Sequence, residues 1–185
     1  MKNRIYILLG IVAIAISSCN ISSTSNKTPD ILFVTNPFKN KTDTLNNYNT
    51  DESGVYRMDT IQVGDTVTFR MLLYGYANNL SVFNVIQSDT SATKIILPSA
   101  ISLDSIFVSA GSDYSSGKFL FKNKISNLYF PFRYVAKKVT NDAKITFYLS
   151  SDATFDNSSG LGNNSTSFVL KTPIKIKKQL VAPHK

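Results

Sequence analysis

Apolar residues recur at every second position along most of this chain, and that period decides the fold class. The clearest run is Thr66 to Tyr74. Val67, Phe69, Met71 and Leu73 fall on one side, while Thr66, Thr68, Arg70 and Tyr74 fall on the other. A strand sends successive side chains to opposite faces, so this pattern buries one face of a sheet and leaves the other at the surface. Ile145, Phe147 and Leu149 alternate in the same way with Thr146, Tyr148 and Ser150. Leu128, Phe130, Phe132 and Tyr134 alternate with Tyr129, Pro131 and Arg133. Pro131 lacks an N–H for a ladder, so its strand is expected at an edge or with a bulge. No stretch sustains a helical period over about 11 residues.

Further strands are expected over Ile31–Thr35, Val55–Val63, Leu80–Gln87, Lys94–Leu97, Ser105–Ala110, Lys118–Phe121, Phe168–Leu170 and Ile174–Lys178. Gly64-Asp65, Asn78-Asn79 and Asn141-Asp142 supply turns between them. Asn36–Gly54 and Asp152–Thr166 read as polar loops. Short strands with turn signals every ~8 to 15 residues point to an all-β antiparallel sandwich. The segment Gly64-Asp65-Thr66-Val67-Thr68-Phe69 resembles the start of the second strand in bacterial immunoglobulin-like domains, which implies an immunoglobulin-like order. The family's disulfide and core tryptophan are absent, because the chain has one Cys and no Trp.

The N-terminus follows a different logic. Lys2 and Arg4 precede an apolar run from Ile5 to Ile16, 12 residues long. A membrane-spanning helix needs ~20 such residues, so the run has the length of a secretory signal. Ile16-Ser17-Ser18-Cys19 then resembles the lipobox of bacterial lipoproteins, in the variant form that Bacteroidetes tolerate. The resemblance implies cleavage before Cys19 and acylation of its thiol (a palmitate-type anchor). It places the protein in the cell envelope, held by lipid at the outer membrane. Surface-exported lipoproteins of this type carry acidic residues just after the cysteine; Asn20 to Asn26 has none, which favours the periplasmic face. The expected organisation is therefore a signal over 1–18, the lipidated Cys19 with a tether over 19–30, a single sandwich domain over 31–180 and a tail over 181–185.

Scarcity narrows the chemistry. His184 is the only histidine and lies one residue from the C-terminus. A catalytic triad needs a fixed imidazole beside its nucleophile, and chain ends are poorly held. Ser91-x-x-Lys94 and Ser115-x-x-Lys118 match the nucleophile motif of penicillin-binding enzymes, but the companion S-D-N and K-T-G elements are missing. Glu52 is the only glutamate, leaving a carboxylate pair to turn aspartates. No Cys or His cluster exists for zinc. Asp152 and Asp156 are the calcium candidates, since hard oxygens suit that ion, although the spacing is not that of an EF-hand. No catalytic residue, cofactor or metal is expected, and the chain reads as a non-enzyme.

Two surface readings remain. Tyr74, Tyr76, Tyr129 and Tyr148 fall on outward positions and are candidates for a glycan-binding platform, with ring faces covering apolar C–H surface beside polar handles. Asp43-Thr44, Asp59-Thr60, Asp65-Thr66 and Asp104-Ser105 resemble the Bacteroidetes O-glycosylation motif, making Thr44, Thr60, Thr66 and Ser105 candidate acceptors. The precursor carries a formal charge of +8, and loss of Lys2 and Arg4 leaves +6. Lys171, Lys175, Lys177, Lys178 and Lys185 follow the last acid, Asp156. Such a charge suits anionic lipids or acidic glycans; export excludes nucleic acid. The expectation is a lipid-anchored, non-catalytic envelope protein that works as a binding or structural module. The alternatives are a glycan-binding or adhesion module and a pilus-type, strand-pairing subunit.

Overall fold

The alternating segments form the two sheets of a sandwich. The structure is a computed structural model that describes residues 27–45, 49–50, 55–155 and 162–176. Its strands in chain order are β1 (Asp30–Phe33), β2 (Phe38–Lys39), β3 (Asp43–Thr44), β4 (Asn49–Thr50), β5 (Tyr56–Arg57), β6 (Ile61–Gln62), β7 (Thr66–Tyr74), β8 (Leu80–Gln87), β9 (Thr93–Ile96), β10 (Lys118–Leu120), β11 (Asn127–Ala136), β12 (Lys144–Ser151), β13 (Ser165–Lys171) and β14 (Ile174–Lys175). One short helix, α1 (Ala100–Ile106), lies between β9 and β10.

The first sheet runs β3-β2-β7-β11-β9, and β1 joins β7 beside β2. The second runs β10-β8-β12-β13-β5-β4. Taking β7, β8, β9, β11, β12 and β13 as strands B to G, B, E and D lie in one sheet and C, F and G in the other. That is the immunoglobulin constant-type division. Two features are added to it. The N-terminal strands β1 to β3 extend the edge of β7, and the connection from D to E carries α1 and β10, which pairs with β8.

Phenylalanine takes over the inter-sheet role that a disulfide and Trp have in antibody domains. Phe69 of β7 stacks on Phe132 of β11 with centroids 4.7 Å apart. Phe147 of β12 meets both, at 6.4 and 5.9 Å. Phe83 of β8 lies edge-on to Phe130 at 5.2 Å. All five rings are buried. Each such pair contributes ~0.5–1.5 kcal/mol beyond its area burial, so rings spanning the sheets hold the layers together without a covalent staple.

The structure departs from the sequence expectation in several places. Asn36–Gly54 is not wholly loop: it contains the β2–β3 hairpin, turned by Asn40 and Lys41 with φ of 51° and 76°, and the buried Leu45. Val55–Val63 is broken into β5 and β6, which pair in parallel with β13 and β14. Ser105 belongs to α1 rather than a strand. Ser99 caps that helix by accepting from Ser102 N–H, and Leu103 is its buried residue. At seven residues it falls below the window in which a helical period can be read. β11 is interior, yet Pro131 still obeys the edge rule. It pairs with Arg70 on one side, while β9 ends opposite Arg133 on the other. Its missing N–H therefore leaves no gap in the β9 ladder.

Candidate functional site

The outer face of the first sheet gathers the large outward side chains. Its rows follow from strand register. Asp30, Tyr74 and Asn127 form one row; Leu32, Leu72 and Tyr129 form the next. Tyr76 follows the end of β7 with φ 59°, a left-handed conformation that turns its ring back beside Tyr74, centroids 4.4 Å apart. The Tyr76 hydroxyl donates to Asp30 Oδ2, and this bond raises the phenol above its ordinary value. Lys27 Nζ lies 5.0 Å from the Tyr76 ring centroid, a cation–π distance. Leu32, Val34 and Tyr129 are 46%, 52% and 48% exposed. Three of the four predicted tyrosines thus share one face. Tyr148 lies on the outer face of the other sheet, between Asn84 and Ser167.

The same face changes character toward its other end. Phe38, Thr68, Arg133 and Ile96 form one row, and Thr66, Val135 and Lys94 the next. Arg70 lies over the Phe38 ring at 5.2 Å. Asn40, Lys41, Thr66, Thr68 and Arg133 line a depression of about 340 Å³. Beneath it, Asp65 is 7% exposed and accepts from Asn40 Nδ2 and from the Gln62 backbone N–H, both at 2.8 Å. Asn40 Oδ1 in turn accepts from Thr66 N–H. This clamp joins the β2–β3 turn to the Gly64-Asp65 turn, where Gly64 has φ 92°.

The candidate O-glycosylation hydroxyls are accessible. Thr44, Thr60 and Ser105 are exposed and Thr66 is half-buried. Ser105 Oγ donates to the Ser102 carbonyl. The calcium candidate Asp152 is exposed, and both its carboxylate oxygens accept from Asn79, from N–H and from Nδ2, at 2.7 Å. Cys19, Glu52, Asp156 and His184 lie outside the described residues. So do Lys177, Lys178 and Lys185. Among the described residues, no three His, Cys, Asp or Glu side chains group as a metal site. No helix among them is long and apolar enough to cross a membrane.

The two Ser-x-x-Lys motifs prove to be turns. Asp89 Oδ1 accepts from Ser91 N–H, Ser91 Oγ and Ala92 N–H. Asp113 Oδ1 accepts from Ser115 N–H, Ser115 Oγ and Ser116 N–H. Each serine hydroxyl donates to a carboxylate in its own turn, which is the local bonding that makes Asp and Ser turn residues. These bonds, those from Ser115 first, hold the Asp113 carboxyl down at about 2.

Sequence reasoning had placed Tyr129 and Arg133 outward through the alternation of β11. Lys41 gave no such signal, because its position depends on a turn with two positive φ angles and no glycine. The partners on β1 were also hidden, since a four-residue strand shows too little alternation to fix its register.

No family model matches the chain, and no curated protein matches it. Among solved structures, a chain titled "BspA_C_WT" is similar over 79% of this chain at 12% identity, with a TM-score of 0.32. The match spans about half of that chain's length, 49%. A likeness at this level carries nothing over to the present protein.

Proposed function

We propose that this protein is a non-catalytic binding module of a bacterial envelope, anchored by lipid on Cys19 at the outer membrane and facing the periplasm. Its ligand is a glycan, bound on the outer face of the first sheet. The observation that carries this reading is the convergence of Tyr74, Tyr76 and Tyr129 with Asp30 and Asn127 on that face. Rings of this kind cover the apolar side of a sugar, while adjacent carboxylate and amide groups take its hydroxyls. Titration of the full chain with a glycan panel tests it; absence of binding across the panel removes the reading. The anchor is tested separately by fractionation. Cys19→Ala protein is expected in the soluble fraction, and retention in the membrane would show that lipid on Cys19 is not the anchor.

A second reading, a strand-pairing subunit, is favoured by one feature. Among the described residues, the outer side of β13 is paired only at Leu170 and Lys171. A concentration-dependent oligomer in sedimentation would support it.

A further inference from the structure

We infer that the depression at the Arg133 end of this face binds an anionic substituent, a carboxylate, sulfate or phosphate carried on the glycan; the inference rests on the glycan reading above. Two cations line the spot and two more stand in neighbouring rows of the face. Lys41 and Arg133 line the depression, Lys94 is two residues from Ile96 on the same face of β9, and Arg70 lies one row away beside Pro131. Among the described residues, the side chains of Lys41 and Arg133 have neither an ion pair nor a hydrogen bond. Both are exposed, so their charge is uncompensated by protein. The hydroxyls of Thr66 and Thr68 also line the cavity, and no hydrogen bond within the protein engages them.

The acids nearby point elsewhere or are already engaged. Register puts Asp43 opposite Lys39, and Lys39 opposite Val67, on the inward side of β2 and β3. Asp43 Oδ2 lies 3.7 Å from Lys39 Nζ. Asp65 is beneath the surface and accepts two N–H donors. Its charge lowers the local potential but presents no oxygen to an incoming anion. What remains facing outward is a guanidinium, an ammonium and two hydroxyls around one hollow. A planar guanidinium gives paired donors to a carboxylate, sulfate or phosphate, and charge-assisted bonds are about twice as strong as neutral ones.

A glycan fits better than a membrane surface. Phe38, Ile96 and Val135 lie in the same rows of the face, so apolar groups border the hollow, and its volume of about 340 Å³ is in the range of small-ligand sites. Arg133 and Tyr129 are four residues apart on the same face of β11, ~13 Å at 3.3 Å per residue. One extended chain of sugars can therefore meet the ring face and the cationic hollow together, whereas a planar bilayer gains nothing from a recess.

The test uses the full chain in detergent, from a host that does not O-glycosylate Asp-Thr sites, since a sugar on Thr66 would fill the hollow. Polyglucuronate, its neutral glucan counterpart and vesicles containing anionic lipid are titrated in parallel. Binding of polyglucuronate is expected to weaken about tenfold in a Lys41→Gln/Arg133→Gln variant and to fall as salt rises. Amide shifts on adding the polymer should centre on Thr66, Thr68 and Arg133. Unchanged affinity in the variant overturns the inference, and so does binding to vesicles in preference to polyglucuronate. Loss of neutral-glucan binding on Tyr129→Ala bears only on the parent reading. Inorganic phosphate is the small probe: shifts at Thr66 and Thr68 that vanish in the variant support the hollow, and shifts that persist count against it.

Discussion

The two outer faces of this sandwich are built from the same alternating pattern and end up chemically unlike. On the second sheet, the central outward residues are Val82, Asn84 and Ile86, then Thr146, Tyr148 and Ser150, then Ser165, Ser167 and Val169, with Lys118, Lys144, Lys171 and Arg57 towards its margins. Those central residues are mostly small or β-branched, which suits a pleated surface. On the first sheet, the outward residues include Tyr74, Tyr129, Arg70, Arg133 and Lys94. These are long side chains with polar ends, held by strands whose inner faces are apolar. The paired rings of Tyr74 and Tyr76 and the hollow lined by Lys41 and Arg133 are what the proposed ligand would use on the first face.

The largest expected effect breaks both faces together. Phe147 lies between Phe69, Phe132 and Phe168 and is fully buried. Phe147→Ala should cost ~3–5 kcal/mol, because the cavity left among rings collapses only partly. Chemical denaturation measures it. A loss below ~1 kcal/mol would mean that the rings do not bridge the sheets in the way the contacts imply.

Next in size is an alkaline limit. Tyr134 is fully buried on β11, and burial pushes its phenol up from 10.0 to about 12. The folded value is raised, so this stabilisation is complete below pH 10 and is lost as pH rises from 10 to about 12. The loss is on the order of 3 kcal/mol. Tyr134→Phe should flatten that decline while leaving glycan binding at neutral pH unchanged, since the ring faces inward.

A sharper comparison pairs two tyrosines at equivalent outward positions. Tyr129→Ala should weaken glycan binding by about tenfold, or ~1.4 kcal/mol. Tyr148→Ala, on the other sheet, should leave it unaltered. Calorimetric titration of both variants against one glycan decides the matter, and equal losses would abolish the distinction between the faces.

Much of this architecture was legible beforehand, for physical reasons that also explain the gaps. The strands β7, β11 and β12 each bury one face over at least eight residues, so their period stands out. Tyr74 and Tyr129 could be placed outward from that period alone. That Tyr74, Tyr76 and Tyr129 share a face while Tyr148 does not is a matter of sheet membership, and period two is the same in either sheet. Strands of two residues, such as β2 and β6, carry no period at all. The two Ser-x-x-Lys matches arise for a related reason: Ser next to a turn Asp is selected by backbone bonding, and Lys at the following strand is a surface residue.

The smallest effect concerns those turns, one on each side of the comparison. Asp89 leads into β9 of the first sheet, and Asp113 precedes β10 of the second. Bonds from Ser91 lower the Asp89 carboxyl, and those from Ser115 and Ser116 hold Asp113 at about 2, against an ordinary 3.8. A lowered folded value stabilises above the ordinary carboxylate range and loses that contribution as pH falls. Thermal stability should therefore decline between pH 4 and about 2. Asp142 joins the same decline, its carboxyl lowered by the Lys171 ammonium at 2.6 Å. Asp113→Asn keeps the side-chain acceptor and removes the charge. It should shrink the acid slope slightly and leave both outer faces intact. A variant that lost glycan binding instead would tie the ligand to the α1–β10 side, and the assignment of the face to the first sheet would have to be given up.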